Sequence, residues 1–324
     1  MAFKDASSPV LLIGSGKLTY SICVCLLQAQ HTVTLVTSDK NQAVNYISAH
    51  FHDLSKLIFK GLQSAPEEMT GVNKPGYSIA IAITAEDLAE KRAAIQLMEK
   101  NLIADSIIAI NTESIPLCTL QEACLYPKRL IGVNWVEPAH VTYFLEIIIN
   151  GNTDKTLVDI LFNNARANWN KDPYLVSHSV SIRAKMFCAM AREAFFLVKN
   201  GYASIEDIDR ACRNDAGYYL PFSGNFRYMD LMGTYAYGLV MEDLNRELSK
   251  DSDIPDFLKN IIGSGGLGME NNQGFYKYEN GDAKRWNHLF IQFSYQIHHI
   301  IEKYPFNYTK KAATAVKQKI LIKS

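Results

Sequence analysis

The chain has 324 residues, of which 48% are hydrophobic and 20% are charged, and its formal net charge is zero. This length exceeds that of one typical hydrophobic core, so we expect two domains of ordinary globular composition. The balanced charge argues against nucleic acid as a partner, because nucleic-acid binding needs concentrated basic surface. A local basic pocket for a phosphorylated ligand remains compatible with this balance.

The cysteines indicate a reducing compartment. There are six: Cys23, Cys25, Cys118, Cys124, Cys188 and Cys212. They stand mostly in apolar helical stretches without a C-x-x-C pair, which predicts reduced core residues and neither a disulfide framework nor a metal site. The first apolar run, Val10–Ile13, is too short for a signal peptide or a membrane span. We therefore expect a cytoplasmic protein with no membrane partner.

Short apolar runs alternate with helical patterns in the first half of the chain. Val10–Ile13 and Val33–Val36 flank a helical stretch, Tyr20–Ala29, which together predict a strand–helix–strand unit. Asn41–Lys60 has the pattern of one amphipathic helix. Further strands are predicted at residues 78–83, 106–110, 129–133 and 145–149, and a charged helix at residues 85–101. The alternation predicts an α/β fold, a Rossmann-type doubly wound parallel sheet.

The pattern becomes helical near residue 178. Ser181–Asn200 has the period of one long helix, and Ser204 opens a capping box before a second helix that begins at Ile205. Residues 286–301 predict an amphipathic helix, and the Lys-rich residues 310–323 a solvated helix face. We place the boundary near residue 175, with a dinucleotide-binding domain at residues 1–175 and a mainly α-helical second domain at residues 176–324.

The run G-S-G-K-L-T at residues 14–19 has the context of a phosphate-binding loop, since it follows the first strand and opens the first helix. Two glycines allow backbone N–H groups to approach a pyrophosphate, and the helix N-terminus adds positive potential. We expect Gly14, Gly16, Lys17 and Leu18 to bind the cofactor, although a solvated first-turn lysine is an equal alternative for Lys17. Thr19 replaces the usual third glycine, a change that would either widen the gap between helix and strand or shift the helix.

The second strand ends in V-T-S-D-K at residues 36–40, where NAD-binding proteins usually have an acidic residue for the ribose hydroxyls. Thr37 takes that place, and Asp39 follows two residues later. The neutral Thr-Ser pair beside Lys40 would not repel a 2′-phosphate. NAD and NADP are therefore both candidates, and the alternative is a loop that holds no cofactor tightly.

Three later stretches add to this loop and strand. The first stretch has three parts, I-N-T-E-S at 110–114, Y-P-K-R-L-I-G-V-N-W-V-E-P-A-H at 126–140 and F-L-E-I at 144–147. The second is G-Y-A-S-I-E-D-I-D at 201–209, and the third is G-L-G-M-E-N-N-Q-G-F-Y-K-Y at 266–278. Their order and spacing resemble the L-3-hydroxyacyl-CoA dehydrogenase family. The resemblance implies hydride transfer between a nicotinamide and C3 of a 3-hydroxyacyl thioester in fatty acid metabolism, and a homodimer through the helical domain. It also implies a histidine that takes the hydroxyl proton and a glutamate that orients the histidine.

The family's catalytic positions carry other residue types in this chain. The histidine position is Asn134, which cannot act as a general base, while the glutamate position is still Glu146. The serine position is Glu113, and the asparagine of the family's F-x-N-P segment is Glu137. His140, six residues after Asn134, is expected to have a structural or rim role.

On the cofactor side, Glu86 and Lys91 keep a Glu…Lys spacing that resembles the family, and Asn111 opens the N-T-E-S run. The resemblance implies that these three residues line the cofactor site. The family's second-domain asparagine aligns with Ala184, or with Lys185 if the register shifts by one.

Two hypotheses follow for this altered site. In one, Glu113, Glu137 and Glu146 crowd a single cleft, their like charges raise at least one pKa, and that carboxylate serves as acid or base, with Arg183 or Lys185 balancing the charge. In the other, the proton relay is lost and the chain binds a dinucleotide or acyl-CoA without turnover. The small-molecule substrate of an active enzyme would be a 3-hydroxyacyl-CoA or a small hydroxy acid without CoA.

Overall fold

The computed structural model describes residues 8–61, 76–177, 180–304 and 306. The chain divides into two compact units, Met1–Lys185 and Met186–Ser324. The Lys-rich segment predicted as a solvated helix face, residues 310–323, lies outside the described residues.

The first unit is built on one sheet. In the described ranges its strands are β1 Val10–Ile13, β2 Val33–Thr37, β3 Leu57–Gly61, β4 Tyr77–Ala82, β5 Leu102–Ile110, β6 Leu130–Asn134, β7 Glu146–Ile149 and β8 Tyr174–Ser177. They lie in the order β3-β2-β1-β4-β5-β6-β7-β8. Each neighbouring pair is parallel except β6 and β7, which are antiparallel. The doubly wound sheet predicted from the sequence is confirmed, and its last two strands, β7 and β8, run antiparallel to the other six.

Helices cover both faces of this sheet. They are α1 Lys17–Gln28, α2 Lys40–His50, α3 Leu88–Asn101, α4 Leu117–Gln121 and α5 Lys155–Asn168, and a helix α6, Ile182–Lys199, begins at the end of this unit. Apolar side chains of α1, α2 and α5 form one core with one face of the strands. Those of α3 and α4 form a second core on the other face. The inner strands β1, β2 and β4 are mainly apolar and buried along their length, because both of their faces are covered.

The prediction of a single helix over Asn41–Lys60 is wrong. Helix α2 ends at His50, and the Asp53 carboxylate then accepts the N–H of Ser55 at 3.0 Å, which forms a turn. The chain continues as β3, whose Leu57 lies opposite Val33 of β2. Because β3 is a partly buried edge strand, its mixture of apolar and polar residues resembles the pattern of an amphipathic helix.

The second unit continues α6 and is helical. Its further helices are α7 Ile205–Ala211, α8 Gly217–Met232, α9 Thr234–Leu244, α10 Asp256–Gly263 and α11 Asp282–Lys303. The predicted capping box is confirmed: Ser204 Oγ accepts the N–H of Asp207 at 3.1 Å, and the Asp207 carboxylate accepts the N–H of Ser204 at 3.1 Å. Helix α8 changes direction at Gly224, whose φ is 67°.

Few apolar side chains of the second unit are buried. Among its described residues, Ile291 on α11 and Pro255 are the apolar side chains that reach the buried class. By contrast, Phe226 is 85% exposed and Tyr235 is 81% exposed. An apolar groove of about 520 Å³ follows α11 and includes Trp286 and Phe293. This unit thus presents a large apolar surface.

Buried polar contacts connect the start of β1 with the end of α5. The His31 ring is fully buried, with Nδ1 2.9 Å from the carbonyl oxygen of Ser8 and Nε2 2.9 Å from Trp169 Nε1. Because the indole N–H can only donate, Nε2 is the acceptor and Nδ1 carries the proton. The ring is therefore held as the neutral tautomer, and burial lowers its pKa.

The cysteine prediction holds only in part. All six are free, but only Cys23 and Cys25 are core residues, whereas Cys118, Cys188 and Cys212 are exposed. Within the described ranges, no helix combines the length and apolarity that a membrane crossing requires. The same ranges hold no group of three or more His, Cys, Asp or Glu side chains arranged for a metal ion.

Candidate active site

The loop between β1 and α1 is shaped by two glycines. Gly14 has a φ of 142°, and a Cβ there would lie 2.5 Å from the carbonyl oxygen of Ile83 and 2.8 Å from Thr19 Oγ1. Gly16 has a φ of 91° and precedes α1. Such backbone is open to glycine and closed to most other residues. The loop therefore provides a cradle that a pyrophosphate can approach closely.

The other residues of the loop form the first turn of α1. Thr19, in the third-glycine position, is fully buried, and its hydroxyl donates to the carbonyl oxygen of Ser15 at 3.2 Å. Lys17 and Leu18 are half-buried in the same turn. Leu18 also packs against the core, so its predicted cofactor role would involve its backbone.

Neutral hydroxyl groups lie at the end of β2, where NAD-binding proteins usually have an acidic residue that binds the ribose. Ser15 Oγ lies 3.0 Å from Thr37 Oγ1 and 2.7 Å from Ser38 Oγ. The nearby Asp39 carboxylate is instead engaged as the N-cap of α2. These three hydroxyls will be called the hydroxyl cluster. It can donate to or accept from a ribose without adding charge.

A groove of about 570 Å³ runs beside this loop. Its lining comprises Ile13, Gly14, Ser15, Ser38, Ile83, Thr84, Ala85, Glu90, Ala93, Ala94 and Leu97. It combines the glycine cradle, part of the hydroxyl cluster and an apolar wall from α3. These are the surfaces that the phosphates, ribose and adenine of a dinucleotide need, so the residues present fit such a cofactor.

Glu86 binds the loop that follows β5. Its Oε1 accepts the N–H groups of Glu113, Ser114 and Ile115 at 3.0, 2.7 and 2.8 Å, and its Oε2 lies 3.1 Å from Lys91 Nζ. Burial opposes ionisation of Glu86, but the Ile115 and Ser114 N–H groups and the Lys91 ammonium outweigh it and lower its pKa. Glu86 is thus a fixed carboxylate that shapes the backbone of Glu113.

Lys91 is fully buried, and three protein acceptors surround its ammonium group. It donates to the Asn111 carbonyl oxygen at 2.7 Å and to Thr84 Oγ1 at 3.1 Å, in addition to Glu86. The Asn111 side chain pairs with the Thr84 backbone: Oδ1 accepts its N–H at 2.9 Å and Nδ2 donates to its carbonyl oxygen at 2.9 Å. Burial lowers the pKa of Lys91, and Glu86 opposes this effect. Glu86, Lys91 and Asn111 therefore meet, and they join the ends of β4 and β5.

Asn134 repeats this pairing one strand further along the sheet. Its Oδ1 accepts the N–H of Thr112 at 2.8 Å, and its Nδ2 donates to the Thr112 carbonyl oxygen at 2.8 Å. The same Nδ2 donates to Glu146 Oε2 at 2.9 Å. Asn134 is only 2% exposed. The residue in the family's histidine position is thus a buried structural amide.

Glu146 is fully buried and surrounded by donors. Its Oε1 accepts from the Tyr174 hydroxyl at 3.0 Å and from the N–H groups of Ile182 and Arg183 at 2.8 and 3.2 Å. The two amides open helix α6, whose N-terminus favours a negative charge. Burial and then the charge of Glu146 raise the pKa of Tyr174. Glu146 is therefore an internal carboxylate whose oxygens are bound by the protein itself.

Glu113 is a carboxylate of this site that solvent can reach. Its Oε1 lies 2.8 Å from Arg183 Nη1, and the two side chains are 35% and 44% exposed. Burial raises the pKa of Glu113, Arg183 lowers it, and Glu146 and Glu86 raise it, with a net upward shift. This is the environment of a carboxylate suited to proton transfer.

Other predicted residues lie outside this cluster. Glu137 is half-buried before the cis peptide bond to Pro138, and the carboxylates whose charges raise the pKa of Glu113 are Glu146 and Glu86. The third carboxylate near Glu113 is Glu86. The predicted crowding therefore involves a residue that sequence reasoning had placed with the cofactor.

The remaining candidates also have other surroundings. Ala184 contributes its N–H to the capping Ser181 hydroxyl at 2.9 Å, and Lys185 is exposed. The His140 ring lies 4.8 Å from the His50 ring, and burial, followed by the charges of His50 and Lys171, lowers the pKa of His140 to about 4. A ring in this environment fits the structural role expected for His140.

Sequence reasoning missed several groups of the site. Tyr174 lies in Y-L-V-S at residues 174–177, a short alternating run that would have indicated β8. The hydroxyl of Ser38 had a signal in its position beside Thr37, and that of Ser15 in its position between Gly14 and Gly16. The backbone amides that bind Glu146 and Glu86 have no signature in residue type, so no pattern could have predicted them.

Comparison with known proteins gives matches over most of the chain. The family model described as 3-hydroxyacyl-CoA dehydrogenase, NAD binding domain, matches residues 9–179. The one described as 3-hydroxyacyl-CoA dehydrogenase, C-terminal domain, matches residues 182–278.

Individual relatives are distant. The 5-formyl-3-hydroxy-2-methylpyridine 4-carboxylate 5-dehydrogenase of Mesorhizobium japonicum is 25% identical over 205 residues, which cover 63% of this chain and 66% of that enzyme. The 3-hydroxybutyryl-CoA dehydrogenase of Clostridioides difficile is 24% identical over 280 residues, covering 82% and 98%.

Solved structures show the same fold. The crystal structure of the 5-formyl-3-hydroxy-2-methylpyridine 4-carboxylic acid 5-dehydrogenase, an NAD+ dependent dismutase, matches with a TM-score of 0.81 at 20% identity, covering 91% of this chain and 99% of that one. The (S)-3-hydroxybutyryl-CoA dehydrogenase from Ralstonia eutropha matches with a TM-score of 0.64 at 19% identity, covering 85% and 100%.

Proposed function

The chain belongs to the 3-hydroxyacyl-CoA dehydrogenase family of NAD-dependent oxidoreductases, and from that premise we propose that it oxidises a 3-hydroxyacyl-CoA or a related 3-hydroxy acid with Glu113 as the proton acceptor. The bound nicotinamide would supply the hydride acceptor. Glu113 would take the proton of the substrate hydroxyl, and in the reverse direction it would return that proton to the carbonyl oxygen.

One observation carries this proposal: Glu113 is an accessible carboxylate with a raised pKa at the carboxyl end of β5. Ligands of open α/β sheets bind at the carboxyl ends of the strands. Glu146, with Asn134 and the first amides of α6, would hold the surrounding backbone in place. Asn134 itself has no proton to accept or release near neutral pH, so the proton route differs from the histidine route that the family resemblance implied.

The buried state of Asn134 supports a second candidate. Its amide makes three hydrogen bonds to Thr112 and Glu146 and serves as a structural link. A chain with this link and without a working Glu113 would bind NAD through the loop at Gly14 and Gly16 but would not turn over a substrate. This second candidate is a dinucleotide-binding protein without catalysis.

The assay is oxidation of NADH and of NADPH by the purified protein with acetoacetyl-CoA, followed by absorbance. We expect turnover that Glu113→Gln lowers by about 10²- to 10⁴-fold, the usual contribution of a general acid or base. Glu122→Gln, which makes the same change on an exposed surface residue, should leave the rate unchanged. In the oxidation direction, the rate should fall as the pH falls through the raised pKa of Glu113, because the base must be ionised.

Two outcomes separate the candidates. NADH binding without turnover of acetoacetyl-CoA or acetoacetate would favour the binding protein. Turnover that persists in Glu113→Gln would exclude Glu113 as the proton acceptor.

We further propose a homodimer that buries the exposed apolar helices of the second unit. A helical unit with so few buried apolar side chains needs a covering surface, and a second copy of the chain supplies one of matching chemistry by two-fold symmetry. We also propose a cytoplasmic location, because free cysteines are favoured in a reducing compartment.

A further inference from the structure

We propose that Arg183 binds a free carboxylate of the substrate and, in doing so, releases Glu113 to accept the hydroxyl proton. The inference rests on the proposed function and makes its substrate class narrower. The preferred substrates would be 3-hydroxy acids with an ionised carboxylate, whereas a CoA thioester presents no carboxylate at that point.

The guanidinium of Arg183 has unused donors. It has five N–H groups, and among the described residues its hydrogen-bond acceptor is Glu113, through the single 2.8 Å contact of Nη1 with Oε1. The Arg183 side chain is 44% exposed. An arginine of this kind binds a carboxylate through two parallel hydrogen bonds. The remaining N–H groups of Arg183 can therefore bind a second carboxylate.

The backbone of Arg183 is fixed at the site. Its N–H donates to Glu146 Oε1 at 3.2 Å, next to the N–H of Ile182 at 2.8 Å. The start of α6 is therefore anchored to β7, while the guanidinium lies against the carboxylate that follows β5. The long side chain can exchange one carboxylate for another without movement of the helix.

The charges of the site favour this exchange. Glu113 interacts with two carboxylates, Glu146 and Glu86, and with two cations, Arg183 and Lys91. Lys91 is fully buried and already donates to three protein acceptors. Of these two cations, Arg183 is the one with exposed donors, so an anionic substrate that enters the site would bind to it.

Exchange has a chemical consequence for Glu113. When Arg183 turns to the substrate, Glu113 loses its neutralising partner but keeps the like charges of Glu146 and Glu86 and gains that of the substrate, while Lys91 remains saturated. Each like charge favours the protonated form. Glu113 then becomes a stronger base for the C3 hydroxyl. The O–H proton goes to a Glu113 oxygen, the C3–H bond pair leaves as hydride to the nicotinamide ring, and C3–O becomes C=O.

The test compares acetoacetate with methyl acetoacetate, which lacks the charge, as NADH-dependent substrates. We expect Arg183→Gln to lower kcat/KM for acetoacetate by about 10- to 100-fold, the range of a charge-assisted hydrogen bond. The same change should not lower kcat/KM for the ester, because the ester has no carboxylate for Arg183 to bind and Glu113 without its cationic partner is protonated more readily. Arg183→Lys, which retains the charge and loses the paired geometry, should fall between wild type and Arg183→Gln. Arg210→Gln removes an exposed Arg–Glu pair on α7 and should change neither substrate. Equal losses for acid and ester in Arg183→Gln would overturn the proposal.

A binding measurement separates this inference from the proposed function. Acetoacetate added to NAD+-loaded protein cannot react, so calorimetry reports binding alone. We expect binding to the wild type with proton uptake near neutral pH, and its loss in Arg183→Gln with an unchanged thermal melting curve. If no substrate is turned over but this difference holds, the proposed function fails and the carboxylate site stands. If Arg183→Gln binds acetoacetate as well as the wild type does, the inference fails whatever the turnover.

Discussion

A glutamate on an open surface has a pKa well below 7, so it is fully ionised at neutral pH. Glu113 differs because partial burial raises its pKa, Arg183 lowers it, and Glu146 and Glu86 raise it again. A carboxylate held between such opposing influences responds to any group that changes the balance. The chemistry of this residue therefore depends on its neighbours and could not be inferred from its type alone.

The hydroxyl cluster of Ser15, Thr37 and Ser38 predicts how cofactor preference can be changed. Thr37→Asp would place a carboxylate beside the ribose, where it would accept from the hydroxyls of NADH and repel the 2′-phosphate of NADPH. We expect the ratio of the two Kd values to shift toward NADH by about tenfold, which corresponds to about 1.4 kcal/mol, as measured by fluorescence titration.

Asp39→Asn is the control for this change. Its carboxylate is directed to the N-terminus of α2 and not to the hydroxyl cluster, so it should leave the Kd ratio unaltered. A shift in this control equal to that of Thr37→Asp would show that general electrostatics, and not contact with the ribose, sets the preference.

At the scale of elements, two asparagine side chains extend the sheet beyond its strand ends. Asn111 pairs with the backbone of Thr84, and Asn134 pairs with that of Thr112. Each amide makes the hydrogen bonds that the next residue of a strand would make. The loops that carry the active-site groups therefore begin from a rigid edge.

Asn134→Ala should lower the free energy of unfolding by about 2–4 kcal/mol, because three hydrogen bonds are lost and buried partners remain unsatisfied. Urea unfolding followed by circular dichroism measures the change. Asn168→Ala, which removes the single, part-buried hydrogen bond from the exposed Asn168 side chain to Asn164, should cost less, about 1 kcal/mol. Equal losses in the two variants would show that the buried Asn134 hydrogen bonds contribute no more to the free energy of unfolding than the single bond of Asn168 does.

The sequence predicted the strands whose two faces are both covered, such as β1, β2 and β4, because their runs are short and mainly apolar or β-branched. It failed at the edge strand β3, which has a mixed pattern, and it left β8 without a prediction. In the site, the family spacing drew attention to Glu86, Lys91 and Asn111, which contact one another. It could not predict that backbone N–H groups bind Glu86 and Glu146, since backbone donors are the same at every residue type except proline.

At the scale of the whole molecule, two histidines, the buried His31 and the half-buried His140, link stability to pH. Burial lowers the pKa of His31, and burial with neighbouring charges lowers that of His140 from 6.5 to about 4. The unfolded chain therefore binds more protons between these values than the folded chain does. The stability that the neutral rings provide is fully present above about pH 6.5 and is lost as the pH falls toward about 4.

We expect the free energy of unfolding to decrease by up to about 1.4 kcal/mol per pH unit for each such proton in this window. Urea titrations between pH 7.5 and 5 measure this slope. His140→Phe should make the slope shallower, and His299→Gln, which changes an exposed ring, should not. A slope that His140→Phe leaves unchanged would assign the effect to other groups.

The dimer proposed from the exposed apolar helices of the second unit predicts the mass of the protein in solution. Sedimentation equilibrium should give twice the 36.4 kDa of the chain, and Phe226→Glu should shift the mass toward the monomer, because a charge would enter the buried interface. Leu125→Glu changes a residue of the first unit that is 75% exposed and should leave the mass unchanged. A monomeric wild type would contradict the proposed dimer.

The hydrogen bonds of Glu146 also bear on the order of events during synthesis. Glu146 leaves the ribosome before Ile182, which follows it by 36 residues and donates to it. Until α6 begins to form, the nascent sheet has a buried carboxylate without two of its donors, an arrangement that costs free energy. The sheet therefore completes its own hydrogen bonding only once the next helix has emerged. A truncated chain that stops at Ser177 would be expected to refold poorly, although it retains every strand of the sheet.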